Sequence, residues 1–168
     1  MCIVIATKVG DAGSTRLHDK MVPKTDKIIV TFGEIDETIS SIVLSIAHLE
    51  KLPDDYKQLE KCIYDLHDIS AYIGGYTDKI NLSKQIKEME DFIYMKEVVD
   101  FTYPIEHKAG AFLNMARSVA RRAERALLDY LDWVHYLDVQ DKDYTEVLKY
   151  MNRLSDYLFA LSVDVRGL

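Results

Sequence analysis

Cysteine is almost missing from this chain, which has only Cys2 and Cys62. Two cysteines with no Cys-x-x-Cys exclude a disulfide framework and fit a reducing compartment. Proline and glycine are also scarce, at three and seven in 168 residues, so little interrupts long helices. Positive charge is in deficit: 21 Lys and Arg against 28 Asp and Glu leave a net charge of -7. That excludes a general nucleic-acid binder, which needs a broad basic surface, but it leaves room for a small basic pocket. No segment approaches the roughly 20 apolar residues of a membrane span. The opening Met-Cys-Ile-Val-Ile-Ala-Thr-Lys lacks a basic region and has too short an apolar run for a signal peptide. Together these absences predict a cytoplasmic protein that partners neither nucleic acid nor membrane. No His-x-x-x-His pair and no Glu-x-x-His motif occurs, so no metal centre of the di-iron bundle type is expected.

What is present is helical periodicity. The length suits one domain with a sizeable core, read here as a single unit over 1–168. Residues 1–33 differ from the rest: two short apolar runs, Ile3–Ala6 and Ile28–Phe32, flank a Gly/Asp/Ser/Thr loop. They predict an ordered, non-helical arm. Five helices should follow, at about 34–51, 54–73, 82–98, 108–136 and 142–165. The first carries Ile35, Ile39, Ile42 and Ile46 on one face, and the fifth carries Val147, Met151, Leu154, Leu158 and Leu161. Glu34, Asp36 and Glu37 would sit in the first turn of the first helix, where its dipole favours acids. The fold class is all-α, a five-helix up-and-down bundle with an N-terminal arm. Small or specific polar residues opposite the core (Asn114, Ser118, Asn152) point to a second packed face and hence an oligomer.

Three segments could carry chemistry. In the fourth helix, Arg117, Arg121, Arg122 and Arg125 fall within nine positions. Arg117, Arg121 and Arg125 share one face at i, i+4, i+8, where like charges destabilise a helix by roughly 0.2–0.5 kcal/mol per pair. Within the helix only Glu124 and Asp129 are placed to offset them. A partner segment, such as one bearing Asp36 or Glu37, or a polyanionic ligand must supply the rest. The plainer reading is a solvated face. In the arm, Thr7-Lys-Val-Gly-Asp-Ala-Gly-Ser-Thr15 could cradle phosphate with its backbone amides, hydroxyls and lysine. It is not a Walker A loop, because no Gly-Lys-Ser/Thr follows, and taken alone an ordinary turn is its plainer reading. In the fifth helix, Asn152 and Asp156 lie one turn apart, with an Arg153–Asp156 surface pair as the plainer account.

The order of these segments carries a resemblance. Thr7-Lys-x-Gly-Asp-x-Gly-x-Thr15, Pro23-Lys24, Gly33-x-x-Asp36-Glu37, the Arg117/Arg121-Arg-Ala-Glu-Arg125 cluster and Met151-Asn-Arg-Leu-Ser-Asp-Tyr-Leu-Phe159 follow one another along nearly the whole chain. The chain resembles the PduO-type ATP:cob(I)alamin adenosyltransferases. The resemblance implies a trimeric five-helix bundle that binds ATP at subunit interfaces. It implies transfer of the 5′-deoxyadenosyl group of ATP to the cobalt of cob(I)alamin, giving adenosylcobalamin and triphosphate. ATP, Mg²⁺ and cobalamin are the implied ligands, and a cobalamin reductase is an implied partner.

By position, the resemblance implies that Thr7, Lys8, Val9, Gly10, Thr15 and Arg16 wrap the nucleotide and that Lys24 meets its phosphates. Arg121, Arg122, Glu124 and Arg125 would line the ATP site, completed by Asn152. Arg117 would pair with Asp36 across the interface. Phe101 would pack against the corrin and, with Arg121, Arg122 and Glu124, make up the catalytic set. The chain departs from the family pattern at Pro104-Ile-Glu-His-Lys-Ala-Gly110, at Asp36-Glu-Thr-Ile-Ser40 and at Asn114. The rival expectation is a non-catalytic ATP-binding helical bundle that has lost corrinoid chemistry.

Overall fold

The computed structural model describes residues 8–49, 56–96, 103–137 and 142–165. Helices α1 (Lys27–Ala47), α2 (Lys57–Ile73), α3 (Ser83–Met95), α4 (Lys108–Tyr136) and α5 (Thr145–Asp164) make up most of them. A hairpin precedes the helices, with β1 (Ser14–Leu17) antiparallel to β2 (Lys20–Pro23) and Thr15 opposite Val22.

The five expected helices are present, and the boundary that moves furthest is the start of α1. α1 begins at Lys27 rather than near residue 34, so Ile28–Phe32 belongs to the helix and not to the arm. The β-branched run reads locally as a strand. It is helical because Asp26 caps the end, its side chain accepting from the Ile28 N–H at 3.1 Å. Ile28 then continues the buried face of Ile35, Ile39 and Ile42. Glu34, Asp36 and Glu37 therefore lie in the interior of the helix, and its first turn holds no acid. Glu34 and Glu37 bind Arg122 of α4 instead.

Cross-helix bonds fix the helix directions. Lys27–Asp129 and Arg122–Glu34 run α1 antiparallel to α4. Tyr56–Asp164 and Tyr72–Asp143 run α2 antiparallel to α5. Ser83–Glu146 and Arg153–Glu90 run α3 parallel to α5. Successive helices thus alternate in direction. The α1/α4 seam is built from small residues. Thr31, Thr38, Ser41 and Ser45 are buried on α1, and Ala116, Ala120 and Ala123 on α4. Thr31 Oγ1 donates to the Ala126 carbonyl across the seam at 3.1 Å. α5 is the central helix, with Tyr150, Met151, Leu154, Tyr157, Leu158 and Leu161 all fully buried.

A polar knot ties α2, α3 and α5 together. Asp65 accepts from the Tyr150 hydroxyl at 3.0 Å and from Gln85 Nε2 at 3.2 Å. Burial raises the Asp65 carboxyl above its ordinary value and pushes the neighbouring Cys62 thiol up to about 12. Cys62 is free and inert packing.

Candidate active site

The arm folds tightly onto itself. The Asp11 N–H donates to the Lys8 carbonyl at 3.4 Å, and the Gly13 N–H to the Gly10 carbonyl at 3.3 Å. Lys8 and Gly13 take left-handed φ values of 58° and 79°. The Lys24 N–H donates to the Gly13 carbonyl at 2.9 Å, which brings the end of β2 back to the loop. The Lys24 ammonium then rests over Gly10, where a Cβ would stand 3.0 Å from Nζ. Gly10 thus leaves room for that cation. Thr7, expected to open this loop, lies outside the described residues.

Behind the hairpin is a cavity of about 570 Å³. Thr15 and Arg16 line it from β1, Phe32, Gly33 and Asp36 from α1, and Tyr76 from beyond α2. Gly33 faces open space, with nothing within 4 Å of where a Cβ would stand. A helix-interior glycine costs about 1 kcal/mol, so the space in front of it is kept at some expense. Asp36 is exposed and makes no hydrogen bond or ion pair among the described residues.

The arginines of α4 separate by face. A helix advances about 100° per residue, so Arg121 and Arg122 point in different directions. Arg122 Nε donates to Glu34 at 2.5 Å, and Nη2 donates to Glu37. These bonds, Glu37 first and then Glu34, raise Arg122 above the usual arginine value. The structure thus engages Arg122, which the resemblance assigns to the ATP site, with two carboxylates of its own chain. Arg117 donates to Asn114 Oδ1 at 2.9 Å and to Ser118 Oγ at 3.3 Å, and lies 6.0 Å over the Phe159 ring. Burial, then the charge of Arg121, pulls Arg117 below the usual arginine value.

The two acids expected to offset the stripe are committed elsewhere. Asp129 holds Lys27 at 2.5 Å, and Glu124 accepts from Asn152 Nδ2 at 3.4 Å. Among the described residues Arg125 donates only to the Arg121 carbonyl, at 3.1 Å. Among the described residues, neither Arg121 nor Arg125 makes an ion pair, and the Arg121 guanidinium makes no hydrogen bond. Arg153, by contrast, is held by Glu90 at 2.8 Å and Asp156 at 3.5 Å, so the surface pair expected there forms, with Glu90 as its nearer partner.

Within one chain these parts form two groups. Arg121, Glu124, Arg125 and Asn152 are brought together on the α4/α5 face. Thr15, Arg16, Gly33 and Asp36 are brought together on the α1/α2 face. Among the described residues no hydrogen bond or ion pair joins the arm to the α4 stripe, and Asp36 makes none with Arg117. Phe101, the expected corrin-packing residue, lies outside the described residues. The nearby loop is held by Gly110, where a Cβ would stand 2.9 Å from Pro104 Cβ and 3.0 Å from the Ser162 carbonyl.

The sequence profile of the cobalamin adenosyltransferase family matches residues 5–165. The chain belongs to that family. It is 33% identical to a cobalamin adenosyltransferase of Cupriavidus metallidurans, over 94% of this chain and 85% of that one. It is 30% identical to a corrinoid adenosyltransferase of Bacillus subtilis, over 92% and 82%. Among solved structures, a phenylalanine-to-histidine variant of a PduO-type ATP:corrinoid adenosyltransferase from Lactobacillus reuteri, complexed with cobalamin and ATP, superposes with a TM-score of 0.80. That match has 25% identity and covers 95% of this chain and 89% of the other. The family's five-helix fold is therefore this chain's fold.

Sequence reasoning missed Glu34 as a partner of Arg122, because the α1 boundary was drawn too late. It also missed Tyr76, which lines the cavity, and His18, which stacks on it. The available signal was an aromatic residue directly after the Gly74-Gly75 stop of α2.

Proposed function

We propose that this corrinoid adenosyltransferase transfers the 5′-deoxyadenosyl group of ATP to cob(I)alamin at a site shared between subunits. The C5′–O bond of ATP breaks, a C5′–cobalt bond forms with the electron pair of Co(I), and triphosphate leaves. Co(I) is already a strong nucleophile, so no general base is required. The chain's tasks are to position the ribose and to stabilise the leaving group. The observation that carries the reading is that, among the described residues, no carboxylate pairs with Arg121, Arg125 or Arg16, on the two faces where the family resemblance puts nucleotide.

In this reading Lys8, Val9, Gly10, Thr15, Arg16 and Lys24 wrap ATP from the arm, with Thr7 extending them. Arg121 and Arg125 take the charge that develops on triphosphate. Asn152 holds Glu124 at the edge of the same site. Arg122 supports it indirectly by bracing α4 on α1. Mg²⁺ enters on the triphosphate; among the described residues no group of three His, Cys, Asp or Glu side chains could hold a metal ion. Phe101 walls off the corrin.

The separation of the two groups favours a homotrimer in which the arm of one chain meets the α4 stripe of the next and Asp36 pairs with the neighbour's Arg117. Val30 and Val43 on α1, and Met115 and Leu128 on α4, are 41–48% exposed and are suited to that interface. We read the whole chain, 1–168, as one domain acting in the cytoplasm, with a reductase supplying cob(I)alamin.

The test is the absorbance change from cob(I)alamin to adenosylcobalamin with Mg-ATP and a reductant. Conversion is expected. Mg-ATP at about 100 times its Kd should also add about 2.7 kcal/mol of stability. That stabilisation without conversion would favour the non-catalytic ATP-binding bundle.

A further inference from the structure

The hairpin that carries Thr15 and Arg16 is fastened to the bundle through its tip. His18, in the turn between β1 and β2, stacks on Tyr76, with ring centroids 3.9 Å apart and planes 18° apart. The His18 N–H also donates to the Tyr76 hydroxyl at 3.3 Å. Both partners are presented by unusual backbone. His18 holds φ at 51°, a left-handed conformation that costs a non-glycine residue and persists only where surroundings impose it. On the other side, α2 stops at Gly74-Gly75, with Gly75 at φ 77°. A Cβ on Gly74 would stand 2.9 Å from two ring carbons of Tyr76 and 3.1 Å from Phe32 Cζ. Glycine at position 74 lets the Tyr76 ring fold back over the helix end and meet the hairpin. Core packing does not account for this arrangement, because Tyr76 is 56% exposed. Tyr76 lines the same cavity as Thr15, Arg16 and Asp36.

We propose that the His18–Tyr76 stack is a latch that seats the arm hairpin before nucleotide arrives, making His18 and Tyr76 positioning residues for Thr15 and Arg16. The inference rests on the reading of the arm as nucleotide-binding. A two-stranded hairpin is at best marginally stable alone. Without the latch, the cost of ordering it would fall on ATP binding. With the latch, that cost is met in folding, and the effect appears in ATP affinity rather than in bond breaking.

The test uses the intact enzyme and three variants. Tyr76→Ala removes the ring. His18→Gly removes the other ring while suiting the left-handed turn. Tyr76→Phe keeps the stack and loses only the hydroxyl. Hydrogen exchange of the amides of residues 14–17 is measured without nucleotide, and steady-state kinetics give KM for ATP and kcat. In Tyr76→Ala and His18→Gly the arm amides should exchange faster. KM should rise roughly tenfold in Tyr76→Ala, which loses an aromatic pair and a hydrogen bond, and severalfold in His18→Gly, which keeps its backbone N–H and loses the ring contact alone, with kcat within about twofold in both. Tyr76→Phe should restore most of both readouts. Unchanged arm exchange in both ring-deleting variants would overturn the latch. Faster exchange with unchanged KM would leave the latch standing and overturn the nucleotide-binding reading of the arm. A fall in kcat with KM unchanged would overturn the positioning role.

Discussion

Arg121 and Arg122 are adjacent in the chain and sit in opposite electrostatic surroundings. Arg122 turns toward α1 and is held by Glu34 and Glu37, bonds that raise its affinity for its proton. Arg121 turns away from α1, is exposed, and makes no hydrogen bond or ion pair with its guanidinium among the described residues. The α1-facing side of α4 is electrostatically complete within one chain. On the side shared with α5, no carboxylate among the described residues pairs with Arg121 or Arg125; Asp129 holds Lys27, and Glu124 accepts from Asn152. The pattern of arginines alone would give both residues one role. The difference teaches that a cation is a candidate ligand group when its own fold leaves it without a counter-charge.

The largest effect should come from Arg121→Ala. Removing one fixed donor to developing charge costs on the order of a hundred- to a thousandfold in turnover, so kcat/KM should fall by that much while size exclusion shows an intact oligomer. Reassembling Arg121→Ala chains with Arg16→Ala chains sharpens the test. Activity above either parent is expected if arm and stripe come from different chains, and none if they come from the same one.

Asp36→Asn should act next. Breaking one side of an interfacial charge pair typically costs a few kcal/mol, so the dissociation midpoint in sedimentation or the ATP Kd should rise tenfold or more. Unchanged values for both would remove Asp36 from the interface.

Arg122→Ala should do least to chemistry. Turnover is expected within about threefold of wild type, with a lower Tm, and the loss in Tm should shrink at high salt as exposed pairs are screened. A loss of activity comparable with that of Arg121→Ala would erase the contrast between the two arginines.

Much of the bundle was legible because amphipathic periodicity is a local signal: α2, α4 and α5 fall close to where the spacing of their apolar residues puts them. The start of α1 was not legible. Ile28–Phe32 carries strand-like residues, and only the Asp26 cap and burial against the other helices decide the matter. The hairpin within the arm was hidden for a similar reason, since its strands are four residues each and are stabilised by the bundle they dock on. Within the site, residue types and order were readable, but partners were not. Glu124 and Asp129 sit at the correct helical spacing for the stripe, yet Asn152 and Lys27, from other helices, claim them.

Sequence alone determined the all-α class, the number of helices and the family, because heptad-like apolar spacing and ordered motifs survive without coordinates. Tertiary structure alone decided which arginine is paired with carboxylates of its own chain and which, among the described residues, is not. It also decided that, among the described residues, no hydrogen bond or ion pair joins the arm to the α4 stripe of the same chain. Both are matters of through-space pairing between residues as distant as Glu34 and Arg122, and helical spacing specifies a face but not what that face will meet.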